Sequence, residues 1–443
     1  MDRFLMKKLV KWKDSPRRKP LILNGARQVG KTWLLKEFGK LHFDKVAYVS
    51  LDNNTIARSF FERDFDTGRM ISDLSLYTST NITPKNTLII IDEIQACPKA
   101  ITSLKYFCED APEYAVAAAG SLLGLSAHEG SGYPVGKVDV LNLFPLNFRE
   151  FLDATGNTIL RKLSDSENID SMTSFAPKAT ALLRQYYVIG GMPAAVDAFV
   201  QGAELAEVRR IQTDILEGYQ RDFAKHAPYR ILPRMMEAWE SIPSHLAQEN
   251  RKFVFGHIRK GARAKDYEEA LTWLSQAGLI MKVPRVTKPG LPLSSYNDHK
   301  SFKIFLLDVG LLAAMSKLDP ATIVNGNAVF TEFKGALIEQ YVCQQLASDC
   351  GEQPFYWSAE NSIGEVDFLV QDSEYVVAIE VKAEENLKSK SLHTFKNRNP
   401  ETLAIRFSLA PFREQEWMRN VPLYAMANKW LWNASSTGTD PYH

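Results

Sequence analysis

Between residues 20 and 145, short apolar runs alternate with helical patterns, the signature of a parallel sheet with crossover helices. Five runs are strand-sized: Leu21–Asn24, Val46–Leu51, Thr87–Ile91, Tyr114–Ala119 and Val138–Leu143. Ahead of them Phe4, Leu5, Leu9 and Trp12 recur at helical spacing, which predicts a short amphipathic helix packed beside the first strand. From about Leu146 to Asn250 the period is helical, with Leu182, Tyr186 and Ile189 on one face and a break at Gly190-Gly191 and Pro193. Helices then lead into two strands, Leu279–Arg285 and Lys303–Leu307, joined by the turn-rich Pro289–Asp298 stretch. A helix through Gly335–Leu346 precedes alternating strand patterns at Gly364–Val370 and Tyr375–Ala383, which implies a further α/β domain.

The 443 residues suffice for about three domains at roughly 150 residues each. With 45% hydrophobic and 24% charged residues, neither disorder nor a fibrous repeat is expected. Lys+Arg 53 against Asp+Glu 52 leaves a formal charge of +1, so any basic surface must be local. Cys97, Cys108, Cys343 and Cys350 form no C-x-x-C pair, which fits neither a disulfide framework nor a zinc site and points to a reduced cytoplasm. No run approaches the roughly 18 apolar residues of a membrane span. Lys7 and Lys8 interrupt any apolar signal region, so the basic N-terminus is not read as a secretion signal.

Gly25-Ala26-Arg27-Gln28-Val29-Gly30-Lys31-Thr32 matches G-x-x-x-x-G-K-[ST], directly after a strand and opening a helix. Glycines let backbone N–H groups approach phosphates, Lys31 reaches the β- and γ-phosphates, and Thr32 ligates Mg2+. Downstream, the apolar strand ending in Asp92-Glu93 supplies the acidic partner. Asp92 is expected in the Mg2+ shell and Glu93 at the attacking water. Val46–Leu51 is read as the additional strand between the two motif strands. Gly120-Ser121 is either a γ-phosphate sensor or plain turn chemistry.

GARQVGKT, LIIIDEIQ, AAAGSLLG, FPLNFREF and GGMP, in this order, resemble the AAA+-related ATPases of bacteria and archaea. The resemblance implies ATP and Mg2+ as ligands, the sheet order of additional-strand ATPases, an ATP-dependent switch and a homo-oligomer. In such ATPases a neighbour's arginine often meets the γ-phosphate; Arg149 and Arg221 are read here as structural ion-pair partners. The expected division is a P-loop ATPase domain over 1–150, a helical segment over 151–250, a part resembling a winged helix over 251–330 and an α/β domain over 331–443.

In that last domain Glu339 lies on a helix, Asp367 in a strand reading GEVDFLV, and Glu380 and Lys382 in one reading IEVKA. Strand alternation puts Glu380 and Lys382 on one face, with Ile379 and Val381 on the other, and gives Asp367 the same face as Glu365, so that one polar cluster can form. This resembles the PD-(D/E)XK nuclease fold, with Val366 in place of the usual proline. The resemblance implies Mg2+ or Mn2+ on Asp367, Glu380 and Glu339, with Lys382 steadying the nucleophile. An inert binding fold, or ordinary charged strand faces, are the alternatives. Finally, Arg251, Lys252, Arg259, Lys260, Arg263 and Lys265 form an acid-free basic run beside a helix, either a DNA phosphate contact or a solvated loop. The expected function is an Mg2+-dependent ATPase acting on DNA, with or without nuclease activity. A nucleotide-controlled switch and an ATPase acting on a protein partner are the competing readings.

Overall fold

The computed structural model describes residues 1–120, 134–248, 251–325, 331–359, 364–383 and 389–432. Its contacts divide the chain into two compact units, Met1–Phe144 with Gln276–Leu279, and Pro145–Ser275 with Ile280–His443. No helix among the described residues is long and apolar enough to cross a membrane.

The first unit is built on five parallel strands: β1 (Leu21–Asn24), β2 (Lys45–Ser50), β3 (Thr87–Asp92), β4 (Ala115–Gly120) and β5 (Asp139–Asn142). Their spatial order is β2-β3-β4-β1-β5. All residues of β1, β3 and β4 are buried, as a parallel sheet covered by helices on both faces requires. The core on one side gathers Ile22, Val49, Phe61, Leu74, Ile89, Ile91, Leu104 and Phe107. The expected N-terminal helix spans Leu5–Asp14 and buries Leu9 and Trp12.

One strand assignment changes. The strand separating β1 from β3 is β4, and the run at Val46–Leu51 corresponds to β2 at the sheet edge. Exposure explains the difference: β2 leaves Lys45 exposed and Tyr48 and Ser50 half-buried, whereas β4 carries only small apolar residues and glycine.

The second unit begins with helices between Phe148 and Leu246. An eight-stranded mixed sheet follows: β6 (Ile280–Val286), β7 (Asn297–Leu306), β8 (Phe355–Ser358), β9 (Glu365–Asp372), β10 (Tyr375–Val381), β11 (Leu403–Ser408), β12 (Arg413–Glu414) and β13 (Arg419–Pro422), in the order β12-β13-β11-β10-β9-β8-β6-β7. Because β6 pairs in parallel with β8, the expected boundary at 330/331 falls inside one sheet. Hydrogen bonding, which side-chain periodicity does not encode, joins the β6–β7 hairpin to the later strands.

The helix Thr331–Ser348 is buried along most of its described length and carries three buried glutamines. Gln340 bonds both the N–H and the carbonyl of Leu306, Gln344 accepts from Val309 N at 2.9 Å, and Gln345 accepts from Phe148 N at 2.8 Å. Gln344 also donates to Asp308, whose carboxylate accepts from Gly191 N at 2.6 Å and caps the Val309–Met315 helix through Leu311 N. Burial pushes the Asp308 carboxyl up, opposed by these bonds. FPLNFREF and GGMP meet here: Leu146 N donates to Gly191 O, and Tyr186 Oη donates to Leu146 O at 2.5 Å. A Cβ at Gly191 would stand 2.0 Å from Leu146 O. Gly191→Ala is therefore expected to destabilise the second unit by about 1–3 kcal/mol through overpacking, seen as a lower urea midpoint and faster proteolysis.

Candidate active site and C-terminal polar cavity

The first unit brings the two nucleotide motifs together at the carboxyl ends of β1 and β3. Helix Lys31–His42 starts directly after Gly30, whose φ of 94° is a left-handed conformation that favours glycine. A Cβ at Gly25 would lie 2.3 Å from Leu143 O, so the loop backbone runs where only glycine fits. Lys31 Nζ donates to the carbonyls of Gly25 at 3.0 Å and Ala26 at 2.8 Å. Burial lowers its pKa to about 8 against the upward pull of Glu93 and Asp92.

Thr32 Oγ1 donates to Asp92 Oδ2 at 2.8 Å, and Tyr48 Oη donates to the same oxygen at 3.0 Å. Burial and the Asp92 charge push the Tyr48 hydroxyl up to about 12, so it remains a donor. Glu93 sits at φ 51°, a left-handed backbone uncommon outside glycine, and its carboxylate accepts from Gln95 Nε2. Ser121 lies outside the described residues. A hydroxyl and a carboxylate at hydrogen-bond distance, beside a buried ammonium and a helix N-terminus, fit a magnesium nucleotide.

Sequence reasoning missed Arg3. This buried side chain donates to Val29 O inside the loop at 3.0 Å and to Phe144 O at 2.6 Å. Tyr48 and Gln95 were missed as well: Tyr48 belongs to no motif, and Gln95 ends LIIIDEIQ but was given no role.

The second unit brings Glu339, Asp367, Glu380 and Lys382 to one cavity of about 750 Å3, also lined by Arg251, Arg285 and Glu365. Asp367 Oδ2 accepts from Val381 N at 2.7 Å, and Lys382 Nζ lies 3.0 Å from Glu380 Oε1. Arg251 Nη1 lies 2.5 Å from Glu339 Oε1. Fully buried Lys303, on β7, pairs with Glu365 Oε1 and lies 3.9 Å from Glu339 Oε2. Burial pushes the Glu339 carboxyl up to about 8, while Arg251 and Lys303 pull it down. For Lys303, burial acts downward but Glu365, Glu339 and Asp367 outweigh it and raise the pKa. Buried Arg406 on β11 lies in register with Glu380 on β10, and its guanidinium donates to Asn420 Oδ1 at 2.9 Å and Ser389 Oγ at 3.2 Å.

The expected metal ligands thus meet in one cavity, but the donor set does not fit a divalent cation. Arg251 pairs with Glu339, Lys303 with Glu365 and Glu339, and Lys382 with Glu380, so three of the four carboxylates already face a cation. Among the described residues, no group of three or more His, Cys, Asp or Glu side chains is arranged to hold a metal ion. Lys303 was missed, although a lone lysine in the apolar run SFKIFLL is a sign of a buried, paired charge.

The basic run divides. Lys252 bridges to Lys303 on β7, and this pairing carries Arg251 into the cavity instead of onto a helix surface. Arg259, Lys260, Arg263 and Lys265 are exposed, with Arg259 3.8 Å from Glu237. Arg149 is the ion-pair partner expected, binding Asp349 through Nε and Nη2 and Asp165 through Nη1. Arg221 pairs with Glu217 on its own helix.

Residues 17–152 match the model of an AAA domain. The first unit carries a P-loop ATPase-like domain. Residues 180–322 and 334–426 match two domains of unknown function, DUF8612 and DUF4143. No curated protein matches the chain. Among solved structures, a Walker-type ATPase of Pyrococcus abyssi is 12% identical over 71% of this chain and 95% of its own, with a TM-score of 0.45. The ORC1 protein of Aeropyrum pernix, in complex with DNA, is 14% identical over 71% and 90%, at 0.28. RuvB of Thermotoga maritima, as its T158V form, is 16% identical over 63% and 89%, at 0.30. At these scores the similarities carry no argument for this chain.

Arg3 lies ahead of the matched segment yet holds the loop backbone. Arg3→Ala is expected to raise the Kd for ATP about tenfold, equivalent to about 1.4 kcal/mol, with Arg3→Lys recovering part of the loss. Equilibrium titration with a fluorescent ATP analogue measures both, and an unchanged Kd removes Arg3 from nucleotide binding.

Proposed function

We propose that the protein is an Mg2+-dependent ATPase acting on DNA, in which nucleotide bound to the first unit controls nucleic-acid binding by the second. The observation that carries this reading is the Thr32–Asp92 hydrogen bond beside the Lys31 ammonium, with Glu93 one residue further on. Thr32 and Asp92 would hold the magnesium, which when bound offsets phosphate charge. Lys31 exchanges the Gly25 and Ala26 carbonyls for phosphate oxygens. Glu93, positioned by Gln95, orients the attacking water and accepts its proton.

DNA binding is supported by the exposed Arg259, Lys260, Arg263 and Lys265 at the start of helix Ala264–Gln276. Helices followed by the β6–β7 hairpin support a winged-helix arrangement there. Helix Thr331–Ser348, the β8–β9–β10 meander, helix Lys390–Arg398 and β11 parallel to β10 support a restriction-endonuclease-like fold. Cation pairing of the cavity carboxylates favours binding over cutting. A second reading, a metal-dependent deoxyribonuclease, rests on the convergence of Asp367, Glu380 and Lys382 in one cavity.

Lys31→Ala is expected to abolish ATP hydrolysis, while Glu93→Gln binds ATP normally and turns over about 10²–10⁴-fold more slowly. Phosphate release and nucleotide titration measure the two effects, and normal turnover in Lys31→Ala defeats the ATPase assignment.

Replacing Arg259, Lys260 and Arg263 by Ala is expected to weaken DNA binding about equally for all sequences and to flatten the log–log salt slope by about 3. The parent should leave single-stranded, duplex and branched DNA uncut with either Mg2+ or Mn2+. Cleavage that disappears in Asp367→Ala establishes the nuclease reading instead, and absence of salt-sensitive DNA binding leaves an ATPase with a protein partner.

A further inference from the structure

Behind the carboxylates that line the cavity of the second unit stands a buried ammonium group. Lys303 is 0% exposed, in the middle of the apolar half of β7. A lysine is almost never buried so completely without anionic partners, because removing its charge from water is costly. Here the partners come from two elements that are distant in sequence from β7. Glu365 on β9 contacts the ammonium directly, Glu339 on helix Thr331–Ser348 lies 3.9 Å away, and Asp367 on β9 acts on it electrostatically.

A divalent cation makes its own demands. It takes hard oxygen ligands at about 2.0–2.6 Å and favours a carboxylate cluster that carries excess negative charge. Here most of the carboxylates are already paired with side-chain cations. Glu339 is held by Arg251 at 2.5 Å as well as by Lys303, and Glu380 is held by Lys382 at 3.0 Å. A divalent ion placed among Glu339, Glu365 and Asp367 would stand against the Lys303 ammonium and compete with it and with Arg251 for the same carboxylates.

We infer that the Lys303 ammonium takes the place of a divalent cation among Glu339, Glu365 and Asp367, so that the C-terminal cavity is assembled and charge-balanced without metal. The cation is covalently part of β7, so it cannot be chelated or exchanged. It also pins the hairpin to the strands that carry Asp367 and Glu380. The inference deepens the binding reading of this cavity, but metal occupancy tests it, whereas DNA binding and cleavage test that reading, and each can fail without the other.

Electron paramagnetic resonance of Mn2+ titrated into the full-length, nucleotide-free protein provides the test. The parent and Asp367→Asn are expected to give the same weak binding, and the parent melts at the same temperature with and without Mn2+. Lys303→Met removes the internal cation and is expected to bind Mn2+ at least tenfold more tightly, with a metal-dependent rise in Tm. Adding Glu365→Gln to that variant should abolish the gain, and Lys303→Arg, which keeps the charge, should show none. Tight Mn2+ binding by the parent that is lost in Asp367→Asn overturns the inference. So does a folded Lys303→Met protein that binds Mn2+ no better than the parent. If Lys303→Met does not fold, the comparison of parent with Asp367→Asn decides alone.

Discussion

The second unit depends on a charge that water cannot reach. Lys303 sits in a strand whose neighbours are apolar, and its ammonium is accommodated because Glu365 and Glu339 close around it. Removing one partner of such a group leaves the other charge buried and uncompensated, the costly way to break a buried pair. The ion pairs also fix geometry. They hold β7, β9 and helix Thr331–Ser348 at one spacing, and Arg251 adds the segment ahead of the hairpin. A hairpin that by sequence order belongs to the preceding helices is thereby built into the C-terminal sheet.

A second buried polar system does comparable work for the helices. The glutamines of helix Thr331–Ser348 satisfy backbone groups of Leu306, Val309 and Phe148, which lie at the ends of their elements. Asp308 joins this set by accepting from Gly191 and capping the next helix. Unsatisfied, each of these groups would cost more than a hydrogen bond contributes, so the network fixes one arrangement. FPLNFREF and GGMP take their places within it: Leu146 and Gly191 share one backbone hydrogen bond, and Arg149 spans Asp349 and Asp165.

The first unit solves a different problem, that of presenting donors and acceptors at a strand edge without loosening the loop that carries them. β4 contributes Ala115, Val116, Ala117, Ala118 and Ala119 between the two motif strands, all buried. Thr32 and Asp92 then meet at 2.8 Å, and Tyr48 reaches the same carboxylate from β2. Arg3 braces the loop from the N-terminal side at Val29.

Local patterns determined a good deal. Continuous apolar runs located β1, β3 and β4 to within a residue, because strands buried on both faces leave no alternation to misread. The P-loop and the acidic strand end were legible because their chemistry depends on residues adjacent in the chain. Strand alternation placed Glu380 with Lys382 and Asp367 with Glu365, since a period of two is a property of any extended backbone. Tertiary structure decided what depends on pairing between distant segments. The position of β4 between β1 and β3, the union of the β6–β7 hairpin with β8, and the entry of Arg251 into the cavity all follow from hydrogen bonds across long sequence separations. It also decided the character of the carboxylate cluster. A sequence shows acids at metal-ligand spacing, but only the fold shows that a lysine from another strand already stands among them, because the sign and distance of the nearest charge belong to space and not to chain order.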